Sequence, residues 1–598
     1  MVPCSLTNDI RGVSKCQRGM LHVAVYSASQ CSPSDVHASP PNCTSFHPCV
    51  THLVYLLVTV TLASQTGRGN VNRMWWMDLL LRTFRLVLEA ASRLIFGIMY
   101  HGITHTPLPP ITNLVLLESA TALATKIRTR KLTSEEVVKS FIARIKEINP
   151  ILNCVVDDRF EDALQDAKEV DELIRLGTMD EATLAKTKPF LGVPFTTKDC
   201  FAVKGLKQTA GLWIRKDMVA EEDADAVRVM REAGGIPLCV TNVSELCMWW
   251  ESSNTIYGRT NNPYVNCRIV GGSSGGEGCL QSACGAPFGI GSDIGGSIRM
   301  PSFFNGIFGH KPTYGIVSNL GQEPVASGEA KEFLVTGPMC RYSQDLGPIL
   351  KVLGVGNSHM LKLDQKVDIR NLRYFYIEDD GGSPMVTPVQ TELRDAQRKI
   401  VQHLEKAYGI KAKKITLKKL KASVFIYFAK LGSVEEAHTF CEELALKKGS
   451  INVWTELVKW CLRCSKHTFA ALLLGVLEKL NNHNKHTENF TKLLAMCNDL
   501  KQEMKELLGD DGVLLFPSHP TVAPYHGQPL FRPFNFAYTA IINVMLLPST
   551  QCPLGLGSEG LPLGIQVVAN HYQDHLSLAV ATELEKAFGG WVCPSEVK

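Results

Sequence analysis

The sequence lacks the features that mark nucleic-acid-binding, secreted and metal-binding proteins. Its 62 basic and 58 acidic side chains leave a net charge of +4. No basic patch interleaved with aromatic residues stands out, so we expect no nucleic-acid partner. No basic region and apolar core follow Met1, so no signal peptide is evident. Nineteen cysteines form no framework, and the Cys-x-x-Cys at Cys461 and Cys464 has no second pair at zinc spacing. We therefore expect reduced, buried thiols in a chain that faces the cytosol.

Two N-terminal segments differ from the rest of the chain. Residues 1–76 are rich in Ser, Pro, Cys and Thr without periodicity, and we expect a disordered extension or an over-extended translation start. Residues 77–102 are strongly apolar, but their charges form one helical stripe, at Asp78, Arg82, Arg85, Glu89 and Arg93. A spanning helix would bury that stripe at about 2.5–3.5 kcal/mol for each charge. We expect a membrane-associated helix, with a helix packed on the next domain as the alternative.

Two glycine-rich turns organise the remaining sequence. The first turn is Gly271-Gly272-Ser273-Ser274-Gly275-Gly276, and the second, further along the chain, is Asp293-Ile294-Gly295-Gly296-Ser297-Ile298-Arg299. The nearly uncharged stretch between them predicts a helix and then a short buried strand near residues 288–291. Glycine lets the backbone approach closely, and successive N–H groups in such a turn form a donor site for a developing oxyanion.

Several other interpretations of these turns are weaker. A flexible linker is not normally flanked by apolar, Cys-rich sequence. The dinucleotide fingerprint requires glycine where Ile294 stands, and no Gly-Lys-Ser/Thr follows for a P-loop. Gly271-x-Ser273-x-Gly275 satisfies the short nucleophile-elbow pattern of α/β-hydrolases, which would require a late histidine such as His571 or His575. That alternative stays open to a mutational test.

A lysine upstream favours a different chemistry. The segment Leu191-Gly192-Val193-Pro194-Phe195-Thr196-Thr197-Lys198-Asp199 ends a strand-like apolar run on Lys198, an unusual place for a solvated charge. With the two turns, in this order, it resembles the amidase-signature family. Residues 245–249, 308–312 and 564–568 are similar to those of the fatty-acid amide hydrolases, most of all to the second, separately evolved group. The resemblance covers roughly Pro107 to the C-terminus.

The fold class predicted from the pattern is α/β. Short apolar strands alternate with helices, and the resemblance implies a large twisted mixed β-sheet covered by helices on both sides. We expect one catalytic domain at 107–598 with a helical insertion at about 385–502. The predicted strands are one that ends at Lys198, Ile236–Thr241, Gly512–Pro517, Ile541–Leu547 and Leu563–Val568. The helices predicted in the insertion are Val389–Ala407, Val434–Lys447, Val453–Cys464 and Phe469–Leu480.

The predicted chemistry is amide hydrolysis by an activated serine. Ser297 would attack the carbonyl carbon, Ser273 would carry a proton to the departing amine, and a neutral Lys198 would be the base. The oxyanion would be held by the backbone N–H groups of Ile294, Gly295, Gly296 and Ser297. The resemblance assigns the same roles to these positions and implies a cis Gly272–Ser273 peptide bond. Ser274, Asp293 and Arg299 are expected to support the site, and neither a metal nor a cofactor takes part.

The resemblance also implies the substrate and the setting. It points to long-chain fatty acid amides, both primary amides and N-acylethanolamines, and to the endoplasmic reticulum or lipid droplets. The expected partners are a lipid amide and a membrane surface, and a homodimer is left open. Acyl-chain access would come from the helical insertion or the loop near Trp249. The alternative is an amidase, or a glutamine-hydrolysing component of an amidotransferase, with small or tRNA-linked amides as substrates.

Overall fold

The computed structural model describes residues 71–103, 105–326, 328, 330–433, 438–481 and 487–598. The predicted extension therefore lies outside the described residues, except for residues 71–76, which are helical. No described helix is both long enough and apolar enough to cross a membrane.

A mixed sheet of 11 strands forms the centre of the protein, in the order β1-β3-β2-β6-β8-β7-β12-β13-β11-β9-β10, and β4 and β5 form a separate hairpin. The strands are β1 (Val155–Asp158), β2 (Pro194–Lys198), β3 (Ile236–Thr241), β4 (Ser253–Asn254), β5 (Gly258–Arg259), β6 (Phe288–Asp293), β7 (Phe308–Lys311), β8 (Val335–Cys340), β9 (Arg373–Tyr376), β10 (Lys413–Lys414), β11 (Gly512–Phe516), β12 (Ser549–Leu556) and β13 (Pro562–Ala569). β2 runs parallel to both β3 and β6, whereas β6 is antiparallel to β8. The predicted mixed α/β sheet is confirmed.

Helices surround this sheet and connect its strands. They are α1 (Val71–Met99), α2 (Ala120–Arg128), α3 (Ser134–Leu152), α4 (Phe160–Leu176), α5 (Glu181–Thr187), α6 (Asp225–Glu232), α7 (Gly275–Ser282), α8 (Arg299–Phe304), α9 (Ala330–Phe333), α10 (Ser343–Leu353), α11 (Thr391–Tyr408), α12 (Ser423–Gly432), α13 (Phe440–Glu443), α14 (Val453–Cys461), α15 (Phe469–Asn481), α16 (Glu488–Leu508), α17 (Ala537–Val544) and α18 (Asp574–Phe588). Local sequence explains many helix starts. Thr133, for example, caps α3 by accepting a hydrogen bond from the Glu136 N–H.

The prediction of a strand at Ile541–Leu547 is wrong. Most of that run belongs to α17, and the strand follows it as β12. Every residue of α17 is buried, and its polar side chains, such as Thr539 and Asn543, bind groups inside the protein, so the helix has no solvent-facing side. A short, mainly apolar run that is buried on all sides cannot be assigned to helix or strand from periodicity.

Helices α11 to α16 occupy the region of the predicted insertion, and α11, α14 and α15 lie at three of the four predicted positions. Within the described residues of the predicted helix Val434–Lys447, only α13 is helical, because Leu446 and Lys447 have left-handed φ angles of 53° and 60°. Residues 434–437 lie outside the described part. The sequence analysis predicts no helix at the positions of α12 and α16.

The N-terminal helix α1 packs against the rest of the protein through a mixed face, which buries Glu89 and the apolar side chains of Leu81, Leu88 and Phe96. Its side-chain donors reach backbone carbonyl groups: Arg82 Nη2 lies 2.7 Å from Gly382 O, and Arg85 Nη1 lies 3.0 Å from Ser383 O. The helix begins at Val71, before the predicted start at Met77. The opposite face carries exposed apolar side chains, among them Leu80, Val87, Leu94 and Ile98. The side of α1 that faces the protein is therefore mixed, whereas the side that faces outward is apolar.

Candidate active site

Lys198 lies at the carboxyl end of β2, where β3 and β6 flank it as parallel neighbours. Its side chain is fully buried. The amine Nζ donates hydrogen bonds to Ser273 Oγ at 2.8 Å and to Ser292 Oγ at 3.0 Å. A buried lysine that contacts two hydroxyl groups, and no carboxylate within the described chain, is positioned to exchange a proton with either hydroxyl group.

Ser273 lies in the turn between the Gly271-Gly272 pair and α7. The Gly272–Ser273 peptide bond is cis, as the resemblance implies. Gly272 has no room for a side chain, because a Cβ there would lie 2.5 Å from the Trp249 carbonyl oxygen. The next residue, Ser274, donates its backbone N–H to Ser297 O at 3.2 Å. This backbone hydrogen bond joins the two glycine-rich turns.

Ser297 follows β6 and retains 7% of its surface exposed among fully buried neighbours. Within the described chain its hydroxyl group makes no hydrogen bond, so it is not directly bonded to Ser273. The backbone N–H groups of Ile294, Gly295 and Ser297 likewise have no acceptor among the described residues. They are available as donors for an oxyanion.

Gly296 differs from the other three predicted oxyanion donors. Its N–H donates to Asp293 Oδ1 at 2.7 Å, so an acceptor of the protein already occupies it. Its φ angle of 123° lies in the left-handed region, and a Cβ at this position would collide with Thr539 Oγ1. Thr539 in turn donates to Gly295 O at 2.8 Å. These contacts hold the turn before Ser297 in one conformation.

Asp293 and Arg299 form a fully buried ion pair that encloses the same turn. Arg299 Nη2 lies 3.0 Å from Asp293 Oδ1, and Nε lies 3.1 Å from Oδ2. Burial alone would raise the pKa of Asp293, but the charge and hydrogen bonds of Arg299 hold that pKa well below its ordinary value. Arg299 also donates to Gln566 Oε1 on β13 at 2.9 Å. The pair thus anchors the Ser297 turn to the sheet.

Two residues at the site were missed by sequence reasoning. Ser292 provides the second hydroxyl partner of Lys198, and no motif distinguishes it. Glu277 is fully buried on α7 and accepts hydrogen bonds from Thr196 Oγ1 and Thr241 Oγ1, each at 2.8 Å. Burial raises the pKa of Glu277 to about 7, although these hydrogen bonds oppose the shift.

The α/β-hydrolase alternative gains no support from these contacts. In the described part of the chain, neither His571 nor His575 forms a hydrogen bond with Ser273 or Ser297. Burial lowers the pKa of His571 to about 4 and lowers that of His575. The side chain bonded to Ser273 is that of Lys198.

Comparison with known proteins adds to this geometry. A family model described as amidase matches residues 136–578. Fatty-acid amide hydrolase 2-A of Danio rerio is 50% identical over 523 residues, which cover 86% of this chain and 97% of the relative. A glutamyl-tRNA(Gln) amidotransferase component of Thermoanaerobacter pseudethanolicus is 28% identical over 482 residues, 77% of this chain and 94% of that relative. A solved fatty acid amide hydrolase structure aligns with a TM-score of 0.63 at 23% identity and covers 81% of this chain and 87% of that one. The structural similarity shows the fold alone.

Proposed function

The chain belongs to the amidase family of amide-bond hydrolases, and from this premise we propose that it is a membrane-associated serine hydrolase of long-chain fatty acid amides. Its substrates would be primary amides and N-acylethanolamines, and its products a free fatty acid and an amine. The observation that carries the proposal is the 2.8 Å contact between Lys198 Nζ and Ser273 Oγ. The turn that holds Ser273 is hydrogen-bonded through its backbone to the turn that holds Ser297.

The proposed reaction proceeds through an acyl-enzyme. Neutral Lys198 accepts a proton from Ser273, which accepts one from Ser297 as Ser297 Oγ attacks the carbonyl carbon. The open N–H groups of Ile294, Gly295 and Ser297 stabilise the oxyanion. The proton then returns through Ser273 to the nitrogen of the departing amine. Water, activated by the same relay, releases the fatty acid.

The outward apolar face of α1 supports a membrane surface as the partner. Leu80, Val87, Leu94 and Ile98 recur at intervals of seven, seven and four residues, which places them on one side of the helix. All four side chains are exposed, whereas Glu89 on the opposite side is buried. An amphipathic helix whose outward apolar row is exposed on the protein can cover that row by immersion in lipid.

A second exposed apolar row lies in the helical insertion. Trp454, Val458 and Leu462 recur every four residues along α14 and just beyond it, and all three are exposed. Such a row on an otherwise soluble surface is typical of an interaction site. We propose that both faces contact the endoplasmic reticulum membrane or the surface of a lipid droplet. The homodimer stays a prediction, which analytical ultracentrifugation would test.

The amidotransferase alternative has less support. The amidotransferase relative is 28% identical, against 50% for the fatty-acid amide hydrolase relative. A soluble amidotransferase component would also have no need for the exposed face of α1. A small-amide amidase differs from our proposal only in substrate, which a direct assay distinguishes.

The test is the hydrolysis of acyl amides graded from short to long chains, by membranes that contain wild type, Ser297→Ala or Lys198→Ala. We expect activity to rise with chain length and to be lost in both variants. Ser282→Ala is the control, because this buried serine on α7 contacts Tyr264 and not the lysine. Activity on short amides alone would exclude the lipid substrate. Full activity of the Ser297→Ala variant would overturn the mechanism. So would a loss of activity in His571→Ala while Lys198→Ala stays active.

A further inference from the structure

The helical insertion places a polar side chain, which the proposed reaction does not use, against the turn before Ser297. Tyr427 on α12 is buried, and its hydroxyl group donates to Ile294 O at 3.4 Å. A Cβ on Gly295 would lie 3.2 Å from the same hydroxyl oxygen. The Tyr427 hydroxyl group therefore touches the peptide unit that joins Ile294 to Gly295.

The carbonyl groups along this turn accept hydrogen bonds one after another. The donors are Asn543 Nδ2 for Asp293 O at 3.1 Å, Tyr427 for Ile294 O, Thr539 Oγ1 for Gly295 O at 2.8 Å, the Met300 N–H for Gly296 O at 2.7 Å and the Ser274 N–H for Ser297 O at 3.2 Å. Among the described residues, Tyr427 is the one donor to Ile294 O. The orientation of the Ile294–Gly295 peptide unit therefore depends on a single side chain of the insertion.

That orientation decides where the Gly295 N–H points. A peptide unit is planar, and in its trans form the C=O and N–H bonds point in opposite directions. The Ile294–Gly295 bond is not among the cis bonds of the described chain. A donor that fixes Ile294 O thus also fixes the Gly295 N–H, which has no acceptor within the described residues and is one of the proposed oxyanion donors. Because Gly295 has no Cβ, its own side chain does little to hinder rotation of this peptide unit.

The surroundings of Tyr427 suit a fixed donor. Its ring packs edge-to-face on Phe536 and on Phe428, with centroid distances of 5.4 and 5.6 Å. Burial, and after it the negative charge of Asp293, raise the pKa of the Tyr427 hydroxyl group. The hydroxyl group therefore stays protonated, and the ring holds it in place against the turn.

We propose that Tyr427 is a positioning residue for amide hydrolysis, whose hydroxyl group holds the Ile294–Gly295 peptide unit with the Gly295 N–H directed at the oxyanion of the transition state. The proposal rests on the proposed attack by Ser297 and on the open N–H groups of its turn. It gives the helical insertion a part in the chemical step, because α12 belongs to that insertion.

Removing the hydroxyl group should affect the transition state more than the bound substrate. The oxyanion exists only after Ser297 has attacked, so a misdirected donor lowers kcat and leaves KM nearly unchanged. The loss of one neutral hydrogen bond corresponds to about 2- to 13-fold in rate. We expect Tyr427→Phe, which keeps the aromatic ring, to lower kcat by that factor while KM stays within about twofold of wild type.

The experiment uses purified full-length wild type and Tyr427→Phe. The first measurement is hydrolysis of the acyl amide that wild type cleaves fastest. The second is the binding of an acyl trifluoromethyl ketone, whose adduct with Ser297 carries an oxyanion, and of the corresponding alcohol, which forms no adduct. The ketone should bind about 2- to 13-fold more weakly to Tyr427→Phe. The alcohol should bind equally to both proteins.

Tyr264→Phe is the matched control. Tyr264 is also buried, and its hydroxyl group also donates to a backbone carbonyl group, that of Val592 at 2.6 Å, which lies outside the turn before Ser297. This variant should keep the wild-type kcat and the wild-type affinity for the ketone. The proposal would be overturned by a wild-type kcat in Tyr427→Phe, by an equal fall in Tyr264→Phe, or by equal weakening of ketone and alcohol binding.

A double-mutant cycle tests the contact between the hydroxyl group and the turn. In Gly295→Ala the new Cβ would lie 3.2 Å from the Tyr427 hydroxyl oxygen, which is tighter than an ordinary van der Waals contact. That oxygen is absent from Tyr427→Phe, so Gly295→Ala should lower kcat less in this background than in wild type. Independent losses, which multiply, would contradict the proposed contact.

The ketone also separates this proposal from the proposed function. Ser297→Ala should bind it far more weakly than wild type does, because no adduct forms. Wild-type affinity of Ser297→Ala for the ketone would overturn the proposed attack by Ser297, and the role of Tyr427 with it. Weak binding to Ser297→Ala together with wild-type binding to Tyr427→Phe would overturn the role of Tyr427 alone.

Discussion

Removing apolar surface from the outward face of α1 should detach the protein from membranes. Leu94 and Ile98 keep 65% and 69% of their surface exposed. Full burial of such a side chain contributes about 1.5–3 kcal/mol, so immersing both exposed portions contributes about 2–4 kcal/mol. The double variant Leu94→Ser/Ile98→Ser should therefore bind membranes about 30- to 700-fold more weakly.

The assay is co-flotation of the full-length protein with phosphatidylcholine vesicles, from which a partition coefficient is obtained at several lipid concentrations. Leu176→Ser on α4 is the control, because Leu176 has a similar exposure of 58% but lies on a heavily charged helix. Thermal unfolding should be unchanged in both variants, since these side chains contribute little to the core. Partitioning of the double variant within threefold of wild type would refute the assignment of α1 as a membrane-contacting helix.

Three further predictions concern the buried polar groups of the site. Ser292→Ala should lower kcat/KM about 2- to 13-fold, because Lys198 loses a hydroxyl partner worth about 0.5–1.5 kcal/mol; an unchanged rate and pH profile would contradict a positioning role. Arg299→Met should cost about 3–5 kcal/mol in urea unfolding, because Asp293 stays buried without its partner. The folded-state pKa of Asp293 is depressed. The contribution of the ion pair to the free energy of unfolding is therefore present above the unfolded aspartate pKa of about 3.9 and is lost as pH falls below it. The difference in unfolding free energy between wild type and Arg299→Met should accordingly narrow in acid. Burial raises the folded-state pKa of Glu277 to about 7. The contribution of Glu277 to the free energy of unfolding is therefore complete below the unfolded glutamate pKa of about 4.3 and is lost as pH rises through about 7. In Glu277→Gln the free energy of unfolding should decline less between about pH 4 and pH 7 than in wild type. Parallel curves of stability against pH for the two proteins would refute a raised pKa for Glu277.

Local sequence determined the parts of this protein that depend on neighbouring residues along the chain. Gly272 is required because the backbone of another turn leaves no space for a Cβ, and such a glycine is visible in the sequence. The strand that ends at Lys198 is visible too, because a short apolar run that ends in one charge is unusual. The periodic charges of α1 predicted its helix, since i, i+3 and i+4 spacing is a property of the helix itself.

Tertiary structure decided what depends on contacts between distant segments. Ser292 contacts Lys198 only because β6 pairs with β2, and strand order cannot be derived from irregularly spaced strands. The N–H of Gly296 is occupied because Arg299 holds Asp293 under the turn. The mainly apolar run in α17 is buried on all sides, so periodicity does not distinguish a helix from a strand there. The direction in which α1 turns its apolar face likewise follows from the carbonyl groups, such as Gly382 O, that bind its arginines, and these lie about 300 residues away along the chain.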